Sequence, residues 1–345
     1  MFSLLGPAYS YKCLLSPTVQ IHLWRTCNLP RLISGLAALP IRPAQAKALE
    51  TFHKKILRGF LKLSKASPIP ALYFLFGELP VEATLHIRTL GLFHNIMSNP
   101  DSIVHTMAKY ILQMCSRNST TWSNHVQLLC LKYGLPPPLS LLKDNTPTIS
   151  KDDWNILVKT RVTIWHEKEI RKLAKNNSKM KFLDVQLSGL NGRPHPALNN
   201  ILNSQDVKKL RMHLKFLTCD ILCNEILAYN QPSLSSACNL CSLIDSIDHI
   251  LVSCRALSDV RDRLYPELLN TVVKVQPNNN IIRAAHHTPD ILAQFLLDCT
   301  STNLPEAYRI PAHNPKISLI FRISRDWCFA IGRERSRQLK LKTKL

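Results

Sequence analysis

The chain has 345 residues, 46% of them hydrophobic, and sets 44 Lys and Arg against 23 Asp and Glu, a formal charge of +21. That length allows two or three packed domains. The charge points to anionic partners, nucleic acid first and an anionic membrane surface second, and away from a small-molecule substrate. The opening "MFSLLGPAYSYKCLL" has no basic leader and breaks at Gly6-Pro7, so the eleven cysteines read as reduced. An intracellular setting, nucleus or cytoplasm, is expected, where clustered Cys means metal before disulfide. The triplets at Asn118-Ser119-Thr120 and Asn176-Asn177-Ser178 then carry no glycan. The longest apolar run, "IPALYFLFGELPV", is broken by Gly77, Glu78 and Pro80, short of the roughly 18 residues a membrane helix needs.

Taken in chain order, the apolar period is helical almost everywhere, and an all-α fold is expected. In "PAQAKALETFHKKILRGFLKL", Leu49, Phe52, Ile56, Phe60 and Leu63 form an apolar stripe. Lys54, Arg58, Lys62 and Lys65 fall within a wedge of about 80° on another face. "LPPPLSLLKDNTPTIS" (135–150) is the clearest break, because consecutive prolines cannot propagate a helix. Ser150 then reads as the N-cap of a long helix, with Asp152 and Asp153 compensating its dipole. The stretch around Asn191-Gly192 contains the one plausible hairpin. In "DVKKLRMHLKFLTCDIL", Val207, Leu210, Leu214 and Leu217 face inward while Lys208, Arg211 and Lys215 line up elsewhere. Further helices are expected near 256–274, 288–299 and 316–338. In the last of these Ile320, Trp327 and Ile331 face the core and Arg322 and Arg325 do not. These breaks divide the chain into a helical region (1–135), a Pro-rich linker (136–150), a helical connector (151–232) and a C-terminal helical region (233–345).

The C-terminal region opens with "CNLCSLIDSIDHILVSC", in which Cys238, Cys241, His249 and Cys254 stand in the spacing C-x2-C-x7-H-x4-C. A C-x2-C turn points both sulfurs inward, and tetrahedral Zn2+ takes four Cys or His ligands. His249 and Cys254 are five apart, about 140° around an uninterrupted α-helix. A helix starting near His249 and bending before Cys254 is therefore required. With all four positions filled by protein, the zinc is structural. His195, His286 and His287 have no Cys or carboxylate partner at a meaningful spacing and read as loop or surface histidines.

The run "CNLCSLIDSIDHILVSCRALSDVR" resembles the C-terminal zinc-binding region of reverse transcriptases from non-LTR (LINE-type) retrotransposons. "LSPTVQIHLWRTCNLPRLISGLAALPI", "LETFHKKILRGF" and "IPALYFLFGELPVEATLHIRTLGLFHNI" continue the likeness in order, so it covers most of the chain. The resemblance implies thumb and post-palm helices over 1–135, followed by the region that grips RNA or DNA. It also implies that Met1 is an internal methionine of a longer ancestral frame. The carboxylates that hold two metal ions in a polymerase palm are missing: the one Asp-Asp is Asp152-Asp153, and Glu50, Glu78 and Glu82 are the acids of the first hundred residues. The expectation is thus a zinc-stabilised, basic, non-catalytic module that binds RNA or DNA through phosphates. The tail "RERSRQLKLKTKL", with Arg333, Arg335, Arg337, Lys340, Lys342 and Lys344, joins the two earlier stripes in that role, and aromatic stacking adds little at 7% aromatic content. The competing expectation is a helical protein-contact scaffold, including docking to a polymerase core supplied in trans.

Overall fold

The structure is a computed structural model of the chain, and it describes residues 15–114, 121–143, 146–147, 149–185, 189–277, 281 and 288–342. The Asn118 triplet, His286, His287 and Lys344 lie outside the described residues. The fold is all-α, as the periodicity predicts. Among the described residues, strand pairing is limited to a two-residue antiparallel ladder of β1 (Leu142–Lys143) with β2 (Thr146–Pro147), inside the Pro-rich break, and an isolated bridge between Ala237 and Ile244.

Helices α1 (Pro17–Leu23) and α2 (Leu29–Leu32) are joined by a π-turn that turns Trp24 inward. Helix α3 (Pro43–Leu61) buries His53, Leu57, Phe60 and Leu61. The predicted stripe is therefore rotated: Leu49, Phe52 and Ile56 are half-buried and only flank the core. His53 takes the inner position because its ring stacks on Trp24, with centroids 5.6 Å apart. Helix α4 (Ile69–Phe76) is buried from Pro70 to Phe76, which explains its uninterrupted apolar run. Gly77 ends it at φ +61° while the Glu78 N–H bonds the Tyr73 carbonyl at 2.9 Å, a left-handed C-terminal cap.

Helices α5 (Val81–Met97), α6 (Ile103–Met114) and α7 (Trp122–Tyr133) form a second core with the first half of α8 (Lys151–Lys175). Ser150 caps α8 as expected, accepting from the Asp153 N–H at 3.2 Å. The buried residues of α8 are Trp154, Val158, Val162, His166, Ile170 and Ala174, one every fourth position. Such a row is one ridge of a helix surface. Its first half packs in the second core, and Ile170 and Ala174 pack in the first. Each core draws on residues from both sides of the Pro-rich break.

The main core continues through α9 (Ser204–Leu217), α10 (Asn224–Asn230), α11 (Ser258–Val275), α12 (Pro289–Leu297) and α13 (Ile317–Lys342). Val207, Leu210, Leu214 and Leu217 face inward on α9, and Ile320, Trp327 and Ile331 do so on α13. Three expectations are corrected. Residues 189–195 form no hairpin. They run back along the end of α4, with the Gly192 N–H on the Gly77 carbonyl and the His195 N–H on the Leu75 carbonyl, both 2.8 Å. Arg325 is buried at 3% exposure because its guanidinium meets the carbonyls of Ala197, Asn199 and Asn200, so its donors are satisfied inside. His195 is buried as well: its Nδ1 accepts from the Ala197 N–H at 3.2 Å and its Nε2 lies 3.4 Å from the fully buried Asp298. Burial pushes the Asp298 carboxyl up, but His195 and the Thr300 donors more than offset this and hold it below the usual carboxylate range. With both ring nitrogens committed, the pair fastens the loop to the core. Among the described residues no helix is long and apolar enough to cross a membrane.

Candidate metal centre and its basic surroundings

The four spaced ligands meet. The Sγ atoms of Cys238, Cys241 and Cys254 and a ring nitrogen of His249 all lie within 4.8 Å of one another. The first pair sits on a knuckle. Ala237 bridges Ile244, the Ser242 N–H closes onto the Cys238 carbonyl at 2.8 Å, and Ser242 takes φ +67° to make the turn. The Leu240 N–H points at Cys238 Sγ, 3.5 Å away.

The second pair comes from a π-turn over His249–Ser253. There the Cys254 N–H bonds the His249 carbonyl at 2.8 Å, five residues back. An i to i+5 bond stacks the two residues, where an α-helix would have separated them, and Cys254 then turns extended. The bend required by the spacing is thus achieved by widening the turn. A tetrahedral zinc with Zn–S near 2.3 Å sets neighbouring sulfurs about 3.8 Å apart. Cys254 Sγ and Cys241 Sγ are 3.8 Å apart, and Cys241 Sγ is 3.1 Å from His249 Nε2, a little inside the corresponding edge. The donor set fits a thiophilic ion such as zinc, with every position supplied by protein.

Without a metal, burial pushes the Cys238 thiol up and the Cys254 thiol up to about 12. Burial acts the same way on Cys241, but the Leu243 N–H and the neighbouring thiols outweigh it and lower that thiol. Burial also lowers His249, favouring the neutral imidazole that binds metal; Asp245 opposes this.

The residues that support the cluster were not legible from spacing. Asp245 is fully buried; its Oδ2 accepts from the Asn224 N–H at 2.8 Å and pairs with Arg335 Nη2 at 2.7 Å. Arg335 Nη1 also donates to the Leu222 carbonyl at 2.8 Å. One turn on, Gln338 reaches the Ala256 carbonyl at 2.9 Å, and Lys342 Nζ reaches the Asn239 carbonyl at 2.6 Å. The end of α13 is a clamp across both ligand pairs.

The tail's cations therefore divide. Arg335 and Lys342 are committed to the knuckle, Arg337 is exposed but bonded to Glu334, and Arg333 is exposed with its guanidinium over the Phe329 ring. Lys340 is exposed. Of the earlier stripes, Lys65 and Lys208 are exposed, while Lys54, Arg58, Lys62, Arg211 and Lys215 are half-buried. The turn after α3 joins these stripes. The Ser64 N–H bonds Asp220 Oδ2 at 2.8 Å, and the Asp220 N–H bonds the Lys215 carbonyl at 2.7 Å. Lys179 Nζ reaches the Ala66 carbonyl at 3.1 Å, and Lys181 pairs with Asp248, next to His249, at 2.7 Å. Lys181 thus stands beside the metal cluster, and Lys179 ties its segment to the turn after α3, which in turn bonds the end of α9. Lys179 and Lys181 fall in no basic stripe of the sequence; their place depends on contacts 113 and 67 residues away. Asp152 and Asp153 are exposed in the first turn of α8, where the dipole reading put them.

What the fold and site define is an all-α protein with a Cys3His cluster able to hold a metal ion. No family model matches the chain, and neither a curated protein nor a solved structure does.

Proposed function

We propose that the chain is a zinc-stabilised, non-catalytic module that binds RNA or DNA through phosphates, and that it derives from the C-terminal part of a non-LTR reverse transcriptase. The observation that supports the binding reading is the basic segment Lys179–Lys181, which joins the turn after α3 to the edge of the metal cluster, in a chain of charge +21. The ancestry rests on the order and spacing of the sequence motifs alone. The metal would be held by Cys238, Cys241, His249 and Cys254. It would supply folding free energy to a segment whose Asp245 and Arg335 already hold the ligand loops together.

Binding of the metal-loaded chain to single-stranded RNA across a salt series tests this. Each phosphate contact to a single strand contributes about 0.7 to the log–log slope, so a patch of several lysines gives a steep dependence. A flat dependence would discard the reading.

A second reading, a protein-contact scaffold, has its own observation. Helix α6 exposes Ile103 at 75%, Met107 at 57%, Tyr110 at 61% and Met114 at 68%, an apolar face without a cover among the described residues. A flat salt slope together with association through that face would favour it.

A further inference from the structure

Helix α8 carries more cations than its packing or its ends require. Arg161, Lys168, Lys172 and Lys175 are all exposed on it. At 100° per residue they fall within a wedge of about 60°. From Arg161 to Lys175 the helix rises about 21 Å. Toward its C-terminal end the buried Ile170 and Ala174 lie on the opposite side.

The charge of this face is not cancelled by acids. Lys172 pairs with Glu169 at 2.7 Å, but among the described residues Arg161, Lys168 and Lys175 have no ion-pair partner. Glu167 is turned away and accepts from the Leu190 N–H at 2.6 Å. Lysines in a last turn offset the helix dipole, an effect that fades within that turn. It accounts for Lys172 and Lys175. It does not account for Lys168, about two turns from the end, or Arg161, about four. Lys179 and Lys181, beyond the helix, are engaged with the Ala66 carbonyl and Asp248 and do not belong to this face. Trp165 stands between Arg161 and Lys168, half-buried, with the Lys132 ammonium 4.2 Å from its ring centroid. Lys132 is itself paired with Glu82 at 3.0 Å. The face therefore offers a line of charge and not a stacking platform.

Such a line answers an elongated polyanion. One strand of a duplex carries a phosphate every 3.4 Å of axis, about six over this length, so four flexible cations meet phosphates without reading a base. An anionic membrane also offers phosphates, but a helix that binds there sinks an apolar face into it. The apolar row of α8 is already buried in the two cores.

We infer that the outer face of α8, from Arg161 through Lys168 and Lys172 to Lys175, is the track on which the backbone of a bound nucleic-acid strand lies. The inference rests on the nucleic-acid reading above and places the interface on a helix face which that reading does not use.

The test measures binding of the full-length, metal-loaded chain to a short single-stranded RNA across a salt series, by fluorescence anisotropy, in wild type and two variants. One variant combines Arg161→Gln, Lys168→Gln, Lys172→Gln and Lys175→Gln. The control removes the same charge elsewhere, by Arg31→Gln, Lys47→Gln, Arg263→Gln and Lys274→Gln, all exposed and all on other helices. Gln is a good helix former, so both variants stay folded, which circular dichroism checks. Each phosphate contact to a single strand carries about 0.7 of slope. The α8 variant is expected to flatten the log–log slope by about two to three, and the control by less than about one. A slope in the α8 variant equal to that of wild type or of the control would overturn the track while leaving the phosphate reading standing. A flat slope in wild type would overturn both. Loss of binding to phosphatidylserine vesicles in the α8 variant, with RNA binding intact, would also overturn the track and assign this face to a membrane surface.

Discussion

Arg335 offers the sharpest separation between a residue that holds the fold and one that meets a ligand, because it lies in the basic tail and yet points inward. Its side chain is 11% exposed and faces Asp245, which is 0% exposed. In Arg335→Ala the carboxylate keeps one partner among the described residues, the Asn224 N–H, and its Oδ1 already has none there. The Leu222 carbonyl also loses its donor. Removing one member of a buried pair costs about 3–5 kcal/mol, since the remaining charge is left uncompensated. The slight exposure of the guanidinium puts the expectation at the lower end, about 3 kcal/mol. Urea unfolding of the metal-loaded protein measures it, with Arg337→Ala as the control, because that pair is exposed and contributes little. Adding Asp245→Asn to Arg335→Ala should recover part of the loss, because the stranded charge is then gone. A loss in Arg335→Ala no larger than about 0.5 kcal/mol would refute the clamp and return the whole tail to solvent.

Purified, reduced protein is expected to carry about one zinc per chain by elemental analysis. Cys241→Ser should release it and raise hydrogen exchange across both the knuckle and the last turns of α13, because Gln338 and Lys342 grip the ligand loops; metal-free wild-type protein would sink the site. Stability should fall early on acidification. Burial holds His53, His86, His166 and His213 down to about 3, 2, 4 and 4, so below about pH 6.5 the unfolded chain takes up protons that the folded chain refuses. Each imidazole then removes up to about 1.4 kcal/mol per pH unit between 6.5 and about 4, and a urea midpoint that stays level from pH 6.5 to 5 would contradict this. Gly77→Ala should cost about 3 kcal/mol, since the residue has φ +61° and a Cβ would run into the backbone of Arg193. A melting temperature within a degree of wild type would mean that the α4 cap and the 189–195 segment separate easily.

Local rules reached the features that depend on neighbours in sequence. Ser150 could be read as a cap because the helix it starts and the acids that follow it are adjacent. The row from Trp154 to Ala174 announces a helix, although not that its two halves enter different cores. The ligand quartet was legible because all its members fall within 17 residues, from Cys238 to Cys254. What escaped were features decided by distant partners. The stripe on α3 was rotated by Trp24 and Tyr73, which make His53 an acceptable inner residue through ring contacts. Arg325 and His195 look like surface residues by type, but the carbonyls of 197–200 and the carboxylate of Asp298 make burial affordable.

The same distinction bears on how a charge of +21 should be interpreted. A count of cations treats every Lys and Arg as available, and the structure withdraws several of them. Arg335 is tied to Asp245, Lys342 to the Asn239 carbonyl and Arg325 to the 197–200 loop; Arg25 holds Glu78 and the Gly192 carbonyl. These cations hold remote segments together, two of them through buried carboxylates and, where no acid is at hand, through carbonyl oxygens. Lys179 and Lys181 are likewise tied, to the Ala66 carbonyl and to Asp248, where the turn after α3 meets the segment before the metal cluster. Lys65 in that turn and Lys208 on α9 stand exposed. The basic excess thus has two physical uses in one chain: cations that fasten remote segments to one another, Arg335 and Lys342 among them at the metal cluster, and exposed cations such as Lys65 whose field can act on an anion. A salt series on the wild type alone cannot separate them. Paired substitutions can, because Arg335→Ala should move stability and leave the slope, whereas Lys65→Gln should lower the slope and leave stability.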